Sequence, residues 1–520
     1  MSETGSFYTS KTQETEQSYR WVFHGNIVIP TGNPFGMSQA EQEALLQEQQ
    51  QGREGRPSVV WLGPCLKLCR YHILAVDYEG KIVHLSHQDQ FDCAFYKGRQ
   101  NYVRLSRHEF LCPGFIDLHS HAPQFAYTGT ATDKPLMGPD GWLETYTFPA
   151  ERSLKENKAK ARQVYEGVVK TTLQAGTTTA VYFGTLDIEP CKVLVDVALN
   201  FGQRALVGKV CMDRNSPDDY RQSTEQNYQE TKELIEYIRR RVGSERDRMV
   251  LPTVLPVVTP RFIPTCSPAL LTRLGELAQQ YKCHIQSHIS ESIDEVEFSR
   301  MLDQQDHNGK ARTDAVVLDS HNLLTNRCIM AHGVHLTDQD LDLIKKRGAA
   351  IAHCPLSNFF FAGGNLPCRK LMERGNKVGL GTDVAGGYSP SMMQSARMAV
   401  VASNVIKNNN KNNTQQSNGK NGESSNKDPL LDYRQAFYLA TLGGAEALGL
   451  SHRIGTFDKG MEFDAFILSA SVRSPVTIFD TDTVPDIFQK LCNLGDDRNV
   501  KRVFVQGREV MKNGMILYEI

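Results

Sequence analysis

The chain has 520 residues, of which 40% are hydrophobic and 22% are charged, and its formal net charge is −1 at pH 7. This length predicts either two or three domains or one large barrel with additions, in each case with a sizeable core. The balanced charge excludes a general electrostatic attraction to nucleic acid or to a membrane surface. We therefore expect neither of these as a partner.

The amino-terminal residues 1–20 are rich in Ser, Thr, Glu and Gln, and we expect them to form a disordered tail. They lack the basic start and apolar stretch of a secretory signal, and no run of 18 apolar residues occurs in the sequence. The chain contains 12 dispersed cysteines, several within apolar strand-like segments, which favours buried thiols in a reducing compartment over disulfides. The prediction is a cytoplasmic protein.

From residue 21 to residue 112 the pattern predicts short strands separated by Gly and charged turn residues. This pattern is typical of a small β domain. Within it, Gly36–Arg56 is polar and rich in Gln and Glu, and is expected to be a partly helical surface insertion. The candidate strands are Val22–Ile29, Ile73–Val76 and Lys81–Leu85.

The middle of the chain, residues 113–454, alternates apolar strand-like segments with helix-like segments such as Leu154–Gln174, Gln226–Val242 and Pro268–Tyr281. Strands in repeated β–α order, apolar as buried parallel strands are, predict an α/β fold, and a (β/α)8 TIM-like barrel over a doubly wound sheet. The candidate strands are Phe115–His121, Thr178–Phe183, Ala205–Met212, Val250–Val258, His284–Ile289, Cys328–His332, Ala349–His353 and Val378–Thr382.

Two later segments complete this organisation. Lys407–Lys427 is dominated by Asn, Gln, Ser, Lys and Gly, cannot bury apolar surface, and is predicted to be a disordered insertion between two helices. Beyond residue 455 the sequence again predicts short strands, at Phe463–Ser469 and Val503–Val510. Because residues 21–112 and 455–520 flank the barrel, we expect them to fold together as one discontinuous β-rich domain.

Two histidines end the first barrel strand, in the run Phe115–His121. Side chains alternate across a strand with period two, so His119 and His121 leave the same face and can reach one metal ion. The motif is weak by itself, because the chain has 15 histidines and two satisfied surface or core histidines are the alternative. The other strand ends decide between these interpretations.

In a barrel of this kind the functional side chains lie at the carboxyl ends of the strands. Polar residues follow so many consecutive candidate strands that a shared site is indicated. Three imidazoles and a carboxylate suit Zn²⁺, or Fe²⁺ with less specificity, and such an ion lowers the pKa of a bound water towards neutrality. The candidates are His119, His121, Gln124, Arg261, Phe262, His288, Glu291, His332, His353 and Asp383.

Residue type and position suggest catalytic roles for three of these candidates. Glu291 lies three residues beyond His288 and can take a proton from water and deliver it to a ring nitrogen. Asp383 can bind the metal and help to deprotonate the attacking water. His332 can hydrogen-bond that water or the developing anion.

Other candidates suit a flat, polar heterocycle. Gln124 can both donate and accept hydrogen bonds, Arg261 presents a planar fork to acceptor atoms, and Phe262 can stack on a ring. The alternatives are that Arg261 only pairs with a surface carboxylate and that His353 is structural. Trp142 is interpreted as packing at a helix start rather than as a stacking partner.

Separate motifs along the chain resemble those of the amidohydrolase superfamily. The first strand carries the pattern Pro-Gly-x-x-Asp-x-His-x-His, and Ile454–Ala465 is similar to the stretch where that family re-enters its small β domain. Agreement over several motifs is more specific than any one of them. The other motifs are His288–Glu291, Ala331–Gly333, His353–Asn358 and Gly381–Asp383.

Within that superfamily the chain most resembles the guanine deaminase family, over nearly the whole sequence from about residue 20. The resemblance implies zinc-dependent hydrolytic deamination of guanine to xanthine and ammonia by a homodimer. The insertions at 36–56 and 407–427 and the longer Met137–Gly141 loop depart from the family pattern. The segments that carry the resemblance are His121–Gln124, Tyr146–Glu151, Thr259–Phe262, Gln286–Glu291, Leu380–Gly387 and Leu494–Asn499.

The same resemblance implies roles for individual residues. One Zn²⁺ per chain would be bound by His119, His121, His288 and Asp383. The purine would be contacted by Gln124, Arg261, Phe262 and Glu291.

Four alternative functions compete with this one. A two-metal hydrolase with a carbamylated lysine is disfavoured because Leu251–Thr259 contains no lysine. The His-x-Glu and Pro-Cys-x-x-Cys design of other zinc deaminases is disfavoured because the chain has no His-x-Glu, and Pro64–Cys69 has one residue too many between its cysteines. The remaining alternatives are a superfamily deaminase acting on another aminated heterocycle, and a catalytically silent scaffold that binds partners through the Asn-rich insertion.

Overall fold

The computed structural model describes residues 19–32, 34–35, 58–130, 133–243, 250–307, 309–416 and 430–517, with the backbone alone for residues 411–416. Residues 1–18 of the expected tail and the expected insertion at 36–56 lie outside these ranges.

Strands occur in three groups along the chain. The first group is β1 (Trp21–Pro30), β2 (Val59–Gly63), β3 (Leu66–Val76), β4 (Ile82–His87), β5 (Tyr102–Arg104) and β6 (Glu109–Pro113). The second is β7 (Phe115–His121), β8 (Thr177–Phe183), β9 (Arg204–Gly208), β10 (Val210–Cys211), β11 (Val254–Pro260), β12 (His284–Ile289), β13 (Cys328–His332), β14 (Ala350–His353) and β15 (Lys377–Leu380). The third is β16 (Ala465–Ser469), β17 (Val500–Val505), β18 (Arg508–Lys512) and β19 (Met515–Ile516).

The α-helices mostly alternate with the second group of strands. They are α1 (Phe148–Arg152), α2 (Lys158–Gln174), α3 (Ile188–Phe201), α4 (Thr224–Arg241), α5 (Pro268–Tyr281), α6 (Ile293–His307), α7 (Asp314–Ser320), α8 (Asp338–Arg347), α9 (Pro355–Phe361), α10 (Cys368–Glu373), α11 (Met392–Gln416), α12 (Tyr433–Leu439), α13 (Leu442–Ala447) and α14 (Val484–Leu494).

The second group of strands forms a parallel barrel. Its order is β7-β8-β9-β11-β12-β13-β14-β15, with β10 beside β11. The backbone N–H of Asp383 donates to the carbonyl of His119 at 2.8 Å, and that of His121 donates to Val384 at 2.9 Å, so the segment after β15 closes the ring onto β7. The predicted (β/α)8 barrel is confirmed.

Sequence and packing agree in the barrel walls. Every residue of β8 is buried, as expected for a parallel strand covered on both faces. On the outside, α2 begins at Asn157, whose side chain accepts from the N–H of Lys160, and it buries an apolar face that includes Val164 and Val168. The helices therefore cover the outside of the barrel, and the polar residues at the carboxyl ends of its strands stay available to form a site.

The strands of the first and third groups form a second sheet, of order β19-β18-β17-β16-β6-β1-β3-β2, in which β4 pairs with β3 and β5 with β1. The two ends of the chain meet where β16 runs antiparallel to β6, with Ala465 opposite Pro113. A separate β-rich domain is therefore present. This pairing supports our proposal that 21–112 and 455–520 make up that domain and 113–454 the barrel.

Two helices depart from the sequence prediction. Helix α11 continues to Gln416, so the first ten residues of the segment expected to be disordered extend a helix that begins in an apolar stretch; residues 417–427 lie outside the described ranges. Helix α14 was not predicted in the β-rich carboxyl-terminal segment. It begins with a capping box between Thr483 and Asp486 and buries Ile487 and Leu491.

Two further findings concern the cysteines and the length and hydrophobicity of the helices. The 12 cysteines are free thiols, and all but Cys93 and Cys492 are buried. Among the described helices, none is long and apolar enough to cross a membrane.

One buried ion pair joins the barrel to the second sheet. Arg204 of β9 donates from Nε to Asp464 Oδ2 at 2.7 Å and from Nη2 to Oδ1 at 3.1 Å, with both side chains buried. Removing one partner leaves an unpaired buried charge, so we expect Arg204→Ala to reduce the free energy of unfolding by about 3–5 kcal/mol. Calorimetric melting checks this. Lys158→Ala, which breaks an exposed pair with Glu189, is the control, and an equal effect of both variants would contradict the prediction.

Candidate active site

Side chains from several barrel strands converge at the carboxyl-terminal end of the barrel. Two of them sit on backbone in the left-handed region, with φ of 72° at His332 and 48° at Asp383. Non-glycine residues rarely adopt this conformation, and it recurs at functional sites. The converging residues are His119 and His121 of β7, His288 of β12, Glu291 after β12, His332 of β13 and Asp383 after β15.

The four residues proposed as metal ligands lie close together. The Nε2 atoms of His121 and His288 are 3.0 Å apart. Asp383 Oδ1 lies 3.1 Å from His119 Nε2 and 3.6 Å from His121 Nε2. The ligand atoms of the three histidines all lie within 4.8 Å of one another. Three imidazoles and a carboxylate at this spacing can share one divalent ion.

The hydrogen bonding of this cluster fits a bound cation. His119 Nε2 is buried and, within the described part of the chain, has no hydrogen-bond partner despite the nearby carboxylate. Burial holds the pKa of His119, His121 and His288 well below its usual range. Neutral imidazoles offer a free lone pair, which is the form that binds metals. The donor set therefore suits Zn²⁺.

Neighbouring groups fix the orientation of two rings. His288 Nδ1 lies 2.6 Å from the carbonyl of Arg261, and His332 Nδ1 lies 3.0 Å from Oδ1 of Asn358. Since both partners are acceptors, each Nδ1 donates, and each Nε2 keeps its lone pair. In both rings that lone pair faces the converging side chains.

Asp117 fastens the two edges of the barrel behind the site. It accepts hydrogen bonds from the backbone N–H of His119 at 3.2 Å and of Thr382 at 2.9 Å. Burial raises the pKa of Asp117 to about 7. Because Thr382 precedes Asp383, this contact positions the carboxylate against the histidines.

Two acidic groups and one histidine form the other half of the site. Glu291 Oε2 lies 3.6 Å from His332 Nε2, and Asp383 Oδ2 lies 3.8 Å from the same nitrogen. Burial raises the pKa of both carboxyls, and the charge of Asp383 raises that of Glu291 further. A carboxyl group with a raised pKa can hold and release a proton near neutral pH.

These groups line a cavity at the carboxyl-terminal end of the barrel. Its lining is partly polar, with Gln124, Arg261 and residues of the site described above, and partly apolar. A mainly apolar lining with a few convergent polar groups is typical of a small-molecule site. The apolar lining residues are Leu136, Trp142, Leu143, Phe262 and Phe361.

Gln124 and Arg261 are held by a residue that the sequence analysis gave no role. Gln124 lies in a 3-10 helix, Ala122–Tyr127, directly after β7, and Arg261 follows β11. Both donate to the buried carboxylate of Glu151. The alternative of a surface ion pair for Arg261 is wrong, because the guanidinium is buried.

The structure brings together most of the residues predicted to form the site, although their roles stay predictions. His353 is buried but does not line the cavity, and burial lowers its pKa to about 3. Trp142 both lines the cavity and packs against Phe361, with ring centroids 5.0 Å apart. Sequence reasoning missed Glu151 and Asn358. Glu151 ends the Tyr146–Glu151 segment that carries the family resemblance, and it supplies the counter-charge that the buried Arg261 requires.

Comparison with known proteins places this geometry in a family. Residues 110–510 match the model of the amidohydrolase family. The guanine deaminase of Mus musculus is 41% identical over 460 residues, which cover 87% of this chain and 94% of the relative. The guanine deaminase of Dictyostelium discoideum is 43% identical over 403 residues, which cover 77% of this chain and 82% of the relative.

Solved structures agree with this placement. The crystal structure of guanine deaminase from C. acetobutylicum with bound guanine in the active site has a TM-score of 0.76 at 28% identity, covering 94% of this chain and 100% of that one. The E. coli guanine deaminase has a TM-score of 0.73 at 27% identity, and the match covers 95% of this chain and 99% of that one. The chain therefore belongs to the amidohydrolase family, within its guanine deaminase branch.

Proposed function

We propose that this protein hydrolyses guanine to xanthine and ammonia. The observation that carries the proposal is a cavity in which a cluster of side chains able to hold a metal ion and the buried carboxyl group of Glu291 lie beside the amide of Gln124 and the guanidinium of Arg261. Guanine deaminases about 40% identical over most of the chain support the same substrate.

His119, His121, His288 and Asp383 would hold the metal, which we propose to be one Zn²⁺ per chain. When bound, such an ion supplies the positive charge that makes water acidic enough to attack at neutral pH. The neutral rings and the Asp383 carboxylate provide three nitrogen donors and one oxygen donor. The contacts of Asp117 and Arg261 hold those donors in place.

Glu291 would move the protons of the reaction. Water attacks the ring carbon that bears the exocyclic amine, and Glu291 passes a proton from the water to the adjacent ring nitrogen. Glu291 then passes the second proton of the water from the new hydroxyl group to the exocyclic nitrogen, so that the carbon–nitrogen bond breaks with release of ammonia and the new oxygen becomes a carbonyl. His332, neutral and with Nε2 free, would accept a hydrogen bond from the attacking water, and Asp383 would assist its deprotonation.

The purine itself would be bound on the polar and aromatic walls. Gln124 and Arg261 present hydrogen-bond donors that match the carbonyl and ring-nitrogen acceptors of guanine. Phe262 lines the same cavity beside His288, with ring centroids 6.2 Å apart, and is placed to pack on a flat ring. A site of this kind takes the free base.

Substrate profiling tests the proposal directly. Purified protein is expected to release ammonia from guanine with kcat/KM at least about 100-fold above that for adenine or cytosine, because analogues that leave buried donors unpaired are rejected. Xanthine formation is followed by absorbance, and chelator treatment followed by Zn²⁺ should abolish and restore turnover. Hydrolysis of another aminated heterocycle without turnover of guanine would overturn the proposed substrate.

We also propose, from the family resemblance, a cytoplasmic location and a homodimer. Buried free thiols are compatible with a reducing compartment.

A further inference from the structure

Glu151 is fully buried beside the cavity, yet the proposed reaction uses no atom of it. Its Oε1 accepts from Gln124 Nε2 at 3.0 Å, and its Oε2 accepts from Arg261 Nη1 at 2.9 Å and from the Tyr220 hydroxyl at 2.7 Å. One carboxylate thus joins the two side chains proposed to bind the purine by hydrogen bonds. Each of these partners is also buried.

Two residues of the helix that carries Glu151 contact Arg261. In α1, Phe148 lies one turn before Glu151, and the two side chains share a face. The guanidinium carbon of Arg261 sits 5.1 Å from the ring centroid of Phe148. Burial lowers the pKa of Arg261, but the Glu151 carboxylate more than offsets this, and the net pKa is raised. The guanidinium is therefore held as a cation between an aromatic face and a carboxylate.

These contacts also fix the amide of Gln124. Its nitrogen donates to Glu151, and its oxygen accepts from the backbone N–H of Ala385 at 3.2 Å. If the amide were turned over, its oxygen would face the Glu151 carboxylate and its NH2 group would face the N–H of Ala385, so only one orientation makes both hydrogen bonds. The remaining N–H groups of Gln124 and Arg261 are the donors available to a ligand in the cavity.

The charge balance limits what those donors can bind. Because Glu151 neutralises Arg261 inside a buried ion pair, the cavity gains directed donors without a free positive charge. Such a site suits a neutral ring that presents a carbonyl oxygen. It does not suit an anionic ligand, which would meet a compensated guanidinium.

We propose that Glu151 is a positioning residue that sets specificity for carbonyl-bearing purines by orienting Gln124 and Arg261. This inference rests on the proposed function. It assigns Glu151 no contact with the reacting atoms. Its removal should therefore impair recognition of the carbonyl more than the chemical step.

The test compares guanine with 2-aminopurine, which has the same amine but lacks the C6 carbonyl. In Glu151→Gln the side chain keeps its size but loses its charge. Its new NH2 group cannot accept the hydrogen bonds that Gln124, Arg261 and Tyr220 donate to the carboxylate. We expect KM for guanine to rise about 10–100-fold with a smaller change in kcat, and the guanine to 2-aminopurine ratio of kcat/KM to fall at least about tenfold.

Glu462→Gln is the matched control. Glu462 is another buried glutamate that is ion-paired with Arg453 and Lys81, but it does not line the cavity and accepts from the backbone N–H of Leu251, which precedes β11. Its replacement is expected to lower thermal stability and leave the substrate ratio unchanged. An unchanged ratio in Glu151→Gln, with both substrates slowed equally, would overturn the inference.

Two further measurements keep the test decisive. If Glu151→Gln does not fold, Tyr220→Phe removes one hydrogen bond to the same carboxylate and should shift the ratio in the same direction by a smaller factor; no shift there overturns the inference. Equilibrium binding of hypoxanthine against purine reports carbonyl recognition without turnover. A wild-type protein that does not deaminate guanine would refute the proposed function, whereas equal hypoxanthine preference in wild type and Glu151→Gln would refute only the role of Glu151.

Discussion

Replacing Glu291 by Gln is expected to lower kcat for guanine by about 10²–10⁴-fold, the range that a positioned proton carrier contributes. Glutamine fills the same space but cannot take up and release a proton. The carboxyl group lies 3.6 Å from His332 Nε2 in a buried position, where burial and Asp383 raise its pKa. Both features suit proton transfer near neutral pH.

Because Glu291 is not among the proposed metal ligands, the variant should keep its metal. Ammonia release at saturating guanine gives kcat, and elemental analysis of the same preparation gives metal content. Glu144→Gln is the control, since Glu144 is exposed and directly follows Leu143 of the cavity lining, and this variant should turn over guanine at the wild-type rate. A Glu291→Gln protein that retains more than a tenth of the wild-type kcat would show that another group carries the proton. A wild-type protein with bound metal and no turnover would instead favour the scaffold alternative.

The barrel could be predicted because its strands are largely apolar and alternate with amphipathic helices. Most strand ends could be located for the same reason, although the predicted strand Ala205–Met212 is divided into β9 and β10, and the strand predicted at Val250–Val258 is β11, Val254–Pro260. For example, β7 and β12 have the predicted bounds, Phe115–His121 and His284–Ile289. Once the strand ends are known, barrel geometry brings their polar residues together, whatever their separation along the chain.

The support of the site could not be predicted in this way. Glu151 and Arg261 are 110 residues apart, and no local pattern records that they pair. Asn358 lies in a short helix, where an amide is most often exposed, but here it orients His332. Such contacts depend on how loops fold over the rim, which neither propensity nor periodicity determines.

Replacing His121 by Ala should remove metal and activity together. Its Nε2 lies 3.0 Å from that of His288 and 3.6 Å from Asp383 Oδ1, so the change deletes one of four donors from the centre of the cluster. We expect bound metal to fall to less than about a tenth of the wild-type content, because a catalytic site with three protein ligands or more loses affinity steeply when one is lost. Elemental analysis after extensive dialysis, paired with guanine turnover, measures both.

His284→Ala is the matched control for this variant. His284 begins strand β12, which ends near His288, and its ring bonds to the carbonyl of Leu448 at the opposite end of the barrel. Its loss should affect stability but not metal content. Wild-type metal in His121→Ala would exclude His121 as a ligand. It would shift the assignment to the second cluster, Glu291, His332 and Asp383, whose ligand atoms also lie within 4.8 Å of one another. In that case Glu291 would bind metal and could not be the proton carrier, so the two experiments constrain each other.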